Sequence, residues 1–165
     1  MTYYVEWGLD DAELDEHGQR RMDTVEELDA VLDTIVASAA RMDTRFAVYV
    51  LRDEELDADH LPSGLQLCLG HAERSHLGWM DTALYAVDEA LPPWPREILF
   101  DYGGQPFCAQ PHETRTTPGA ARAAAREYVA TGRRPENVRW VPAFPEREAG
   151  PDNLPRIGTP IPPAR

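Results

Sequence analysis

The chain has 165 residues, 42% of them hydrophobic, which suits one domain with a buried core and excludes a wholly disordered chain. Its 29 acidic and 16 basic residues give a net charge of -13, a surface that repels phosphate backbones and disfavours direct nucleic-acid binding. Such a balance suits a basic partner, a cation or a high-salt solvent. The two cysteines, Cys68 and Cys108, are too few for a disulfide scaffold and fit a reducing compartment.

The start, "MTYYVEWGLDD", lacks a basic region followed by an apolar run, so no signal peptide is expected. The longest nearly uncharged apolar stretch, Ile35 to Ala40, is too short to span a bilayer. A soluble, cytoplasmic protein is expected. Residues Thr2 to Trp7 are β-branched and aromatic and predict a first strand. An acidic loop follows, with Asp10, Asp11, Glu13, Asp15 and Glu16. In "TVEELDAVLDTIVASAAR", Thr24 and Glu27 form a capping-box pattern. Val25, Leu28, Leu32, Ile35, Val36 and Ala39 recur at helical spacing and predict one apolar face.

"RFAVYVL", residues 45–51, predicts a strand, and a second acidic loop carries Asp53, Glu54, Glu55, Asp57 and Asp59. "LQLCLGH" predicts another strand, and "SHLGWMDTALYAVD" one or two more, with Gly78 read as a turn or bulge. "LPPWP" breaks the pattern. "EILFDYGG" predicts a strand whose Gly103-Gly104 turns into "QPFCAQP". Thr117 and Pro118 then start a second helix, an alanine-rich body continues it, and Gly132 is placed for a left-handed cap. Arg122 and Arg126 read as solvent-facing. Arg133 and Arg134 complement the helix dipole rather than form an anion site. A short strand over Val138 to Val141 closes the order, with Trp140 expected in the core.

From Pro142 on, seven of the fifteen prolines fall in 24 residues, so residues 143–165 are expected to form an extended tail beside a domain of residues 1–142. The order β, α, several β, α, β predicts an α+β fold, a mostly antiparallel sheet with two main helices packed on it.

Candidate chemistry is sparse. Cys68, His71, His76, Cys108 and His112 are the residue types of a zinc site, but no paired CxxC is present. Cys68 and His71, three apart on one predicted strand, would point to opposite faces. The acidic loops lack the glycine and glutamate positions of an EF-hand. There is no GxSxG, GxGxxG or GxxxxGK[ST]. A small metal-dependent or thiol enzyme built on Cys68, His71, Cys108 or His112 stays open as an alternative, as does a regulatory interaction module. The lack of a catalytic kit favours a binding protein without cofactor.

"HLGWM", residues 76–80, and "FDYGGQPFCAQPHETRTTPGAARAAAREYVATGRRPENVRW" resemble the Imm1 family of bacterial immunity proteins from polymorphic toxin systems. With the order of elements before them, the resemblance covers residues 2–142. Its motifs fall on Gly78, Trp79, Gly103, Gly104, Pro106, Gly132, Pro135 and Trp140. It implies an α+β fold and a non-enzymatic protein that binds a cognate toxin, chiefly a nucleic-acid deaminase. A toxin of that kind needs a positive groove, which the two acidic loops could occupy by charge. The carboxylates named above are therefore the expected partner-binding residues, with Trp94 between its prolines as an aromatic anchor.

Overall fold

The computed structural model describes residues 1–8, 18–53 and 64–144. The strands are β1 (Tyr3–Trp7), β2 (Gly18–Met22), β3 (Phe46–Arg52), β4 (Gly64–Leu69), β5 (Leu77–Trp79), β6 (Leu84–Ala86), β7 (Ile98–Tyr102), β8 (Gln105–Ala109) and β9 (Trp140–Pro142). The helices are α1 (Val25–Met42) and α2 (Pro118–Thr131), with a 3₁₀ turn at Pro111–Thr114. The fold is α+β. Seven strands lie in the order β2-β1-β3-β4-β5-β6-β9, each pair antiparallel. The β7–β8 hairpin joins this sheet through a parallel pairing of Asp101 with Phe46 of β3.

Both helices begin as their sequences dictate. Thr24 accepts the Glu27 backbone N–H while the Glu27 carboxylate accepts the Thr24 N–H, closing the capping box. Thr117 caps α2 by accepting the Ala120 N–H, and Pro118 occupies the first turn, where a missing donor costs nothing. Gly132 ends α2 at φ 67 and returns its N–H to the Tyr128 carbonyl. Gly103 and Gly104, at φ 56 and 76, form the two-residue turn between β7 and β8.

The two helices cover one face of the sheet. Strand alternation sends Tyr3, Val5, Val48, Val50, Leu65, Leu67 and Leu77 to that face. They meet Leu28, Leu32 and Ile35 of α1 and the small residues Ala121, Ala124 and Ala125 of α2, which let the helix lie close. Tyr128 is fully buried among them, edge-on to Tyr3 at 5.3 Å and to Trp79 at 5.4 Å.

The structure changes several expectations. Val36 is 43% exposed, because it lies one step round α1 from Ile35, beyond the buried stripe. Gly78 is neither turn nor bulge: it sits inside β5, paired with Gln66 and Tyr85, and the chain reverses at residues 80–83 instead. Strand β2 was not expected. Arg122 and Arg126 do not simply face water, since both reach Asp29 of α1. Trp140 packs against the core but is only half-buried, with its indole N–H donating to the Pro135 carbonyl at 2.7 Å.

Candidate functional site

The face of the sheet turned away from the helices is the candidate interaction surface. Alternation that sends Val5 and Val48 inward sends Glu6 and Tyr49 outward. The strand registers place Glu6, Tyr49, Gln66, Gly78, Tyr85 and Val141 side by side in one row across six strands. At the usual strand separation the row is about 24 Å long, the scale of one side of a protein–protein interface.

One end of this face is covered. The β7–β8 hairpin lays Ile98, Phe100 and Ala109 over Ala47 and Cys68 to form a second, smaller core. The rest carries polar and aromatic groups. Gln66 Nε2 donates to the Tyr49 hydroxyl at 3.0 Å, and the Tyr49 ring meets Tyr102 edge-on at 4.6 Å. Burial, then the neighbouring Tyr102, Cys68 and Glu6, pushes the Tyr49 phenol up to about 12, so it stays a neutral hydroxyl. Beside Gly78 lies a pocket of about 320 Å³. At the far end, Glu6, Gly8, Gly18 and Tyr102 help line a second hollow of about 410 Å³.

Of the residues expected to bind a partner, Asp10, Asp11, Glu13, Asp15 and Glu16, and Glu54, Glu55, Asp57 and Asp59, lie outside the described residues. The points where these two acidic segments join the sheet are on view. The first leaves after Gly8 at the C-terminal end of β1, and the second leaves beyond Asp53, next to the N-terminal end of β1. Asp53 itself pairs with Arg21 at 3.0 Å. Trp94 is half-buried against the smaller core, under the Arg74 guanidinium at 5.0 Å and edge-on to His71 at 5.0 Å. Arg74 is itself buried and ties the proline loop down by donating to the Pro92 carbonyl at 2.7 Å.

The residues that suggested metal or thiol chemistry are dispersed. Cys68 is fully buried under the hairpin, and burial pushes its thiol well above the ordinary range, opposite to what a nucleophile needs. The Cys108 thiol is also raised, first by Glu97. His71 lies beyond the end of β4 rather than on it, and its Nδ1 accepts the N–H groups of Glu73 and Arg74. His112 packs edge-on against Tyr85 at 5.8 Å. Among the described residues no three His, Cys, Asp or Glu side chains are placed to hold a metal ion.

Sequence reasoning missed Glu6, Tyr49, Gln66 and Tyr85 as a set. A signal existed: Gln66 is a lone amide within an otherwise apolar strand, and Tyr49 interrupts an aliphatic one. Their alignment depends on strand register, which a single sequence does not display.

The fold is a two-layer α+β domain with one sheet face packed on helices and the other covered only in part, by the β7–β8 hairpin. Residues 16–142 match the family model described as Immunity protein Imm1, most of the chain, and the protein belongs to that family. No match was found among curated proteins or solved structures. Among the described residues no helix is long and apolar enough to cross a membrane.

Proposed function

We propose that this immunity protein binds and neutralises a nucleic-acid deaminase toxin by occluding its substrate groove, without catalysis or cofactor. The observation that carries the reading is the Imm1 match over residues 16–142. Charge supports the mechanism. A toxin acting on DNA or RNA presents a positive groove to phosphates. A protein of net charge -13 is attracted to that groove and can fill it without chemistry. The acidic residues of Asp10–Glu16 and Asp53–Asp59 would supply part of that charge, with Trp94 as an aromatic anchor. The site of action is the cytoplasm of the toxin-producing cell.

The test is co-expression with any toxic domain found encoded beside this gene, read by growth and by co-purification at low and high salt. Rescue with a stable complex, associating more slowly in salt, is the expected result. Growth arrest with no complex would remove the immunity reading for that partner.

A further inference from the structure

The pocket beside Gly78 has a chemistry of its own. Its floor is Gly78, and its walls include Gln66, His76, Tyr85, Phe107 and Glu113. A Cβ on Gly78 would stand 3.1 Å from His76 Nε2 and 3.6 Å from Gln66 Oε1, so both atoms face the space that the glycine leaves. His76 is only 6% exposed. Its Nδ1 lies 3.2 Å from the Glu113 carbonyl, which can only accept, so Nδ1 carries the proton. Burial lowers the pKa of His76, against a smaller opposing effect of Glu113, so the ring is neutral and Nε2 presents a bare lone pair. Among the described residues Nε2 has no hydrogen-bond partner. Gln66 commits its N–H to Tyr49, which leaves Oε1 as an acceptor. The Glu113 carboxylate is near enough to raise the pKa values of both His76 and Tyr85. Arg115, whose charge also acts on Tyr85, donates from Nε to the Leu91 carbonyl and from Nη2 to the Glu89 carbonyl.

The pocket thus offers acceptors, a nearby carboxylate and aromatic walls. Acceptors that line a hollow can take a donor from a partner, and aromatic faces favour cations. We propose that the Gly78 pocket receives a cationic side chain, arginine or lysine, from the toxin, with its head on His76 Nε2 and Gln66 Oε1 and its stem along Tyr85 and Phe107. This rests on the immunity reading for the identity of the partner, and on the pocket alone for the chemistry. It gives the glycine of "HLGWM" a role unrelated to any turn: an absent side chain makes the hole.

The test uses the full chain with histidine nitrogens labelled, titrated with N-propylguanidinium and, separately, with neutral N-propylurea. The expected result is a saturable shift of His76 Nε2 and the Gly78 amide, with the guanidinium about tenfold tighter, or ~1.4 kcal/mol. That shift should vanish in Gly78→Val, or in Gly78→Ala should the larger residue prevent folding. Equal responses to the two probes, or no saturable shift at His76, would overturn the proposal. So would a His76 Nε2 signal already showing an accepted hydrogen bond in the free protein and unmoved by either probe, which would mean that the chain fills its own pocket. In the toxin complex, Gly78→Ala should weaken binding about tenfold in a variant whose own melt shows it folded. A silent pocket with an intact complex sinks the pocket alone, whereas a responsive pocket with no toxin complex sinks the immunity reading alone.

Discussion

Arg122 on α2 grips Asp29 on α1 twice: Nε meets the carboxylate at 2.9 Å and Nη2 donates to the Asp29 backbone carbonyl at 2.8 Å. The same guanidinium reaches Asp33 at 2.7 Å, and Arg126 adds a contact to Asp29 at 3.0 Å. These pairs clamp the helices where they cross. Asp29 and Arg122 are about three-quarters shielded from water, so the clamp is stronger than an exposed ion pair but still screened. Arg122→Met should lower unfolding free energy by about 1–2 kcal/mol. Urea melts of Arg122→Met, Asp29→Asn and the double variant would check it; simple additivity would show that the Arg122–Asp29 side-chain pair contributes nothing.

The two tryptophans of the family motif should differ. Trp79 is 8% exposed and packs edge-on against Tyr128, so Trp79→Ala should cost roughly 3–5 kcal/mol. Trp140 is half-buried at the sheet edge, and its truncation should cost about half as much. Equal losses in thermal melts would contradict the packing described.

His76 predicts an acid-side loss of stability. Its pKa is lowered in the folded protein from the ordinary 6.5, so the unfolded chain binds more protons below that value. The stability of the neutral ring is therefore present above pH 6.5 and drains away as pH falls below it. His71 shifts the same way, also chiefly by burial. Denaturant midpoints measured from about pH 7 to 5 should fall less steeply in His76→Gln, and less steeply still with His71→Gln added. Parallel curves for parent and variants would show that neither ring carries the linkage.

The cysteines should report on the hairpin. Cys68 is inaccessible and Cys108 only half-buried. A thiol reagent should modify Cys108 in the native protein, slowly at neutral pH because its thiol is raised, and reach Cys68 only as the molecule unfolds. Two equivalents reacting at one rate would mean that the β7–β8 cover opens readily.

Much of this fold was legible because its signals are local. Thr24 with Glu27, Thr117 with Pro118, and Gly132 each act within a few residues, and each does so in the structure. Strand β2 was illegible for the converse reason. "GQRRM" carries one buried side chain, Met22, and is a strand only because β1 pairs with it along the sheet edge. Its arginines suit an edge, where charge discourages further pairing. The ion pairs of Arg122 and the Gly78 pocket required knowing which helices cross and which strands are neighbours. The acidic residues expected to bind were legible as charge alone.

The alternation along β1 has an evolutionary consequence. Tyr3, Val5 and Trp7 answer to the helices, while Glu6, one residue away, answers to whatever meets the open face. If that face meets the toxin as proposed, a mutation to an outward residue alters recognition and leaves the core volume untouched. On the proposed reading, lineages pursuing a changing adversary could rewrite Glu6, Gln66 or Tyr85 one at a time while the buried core stays as it is.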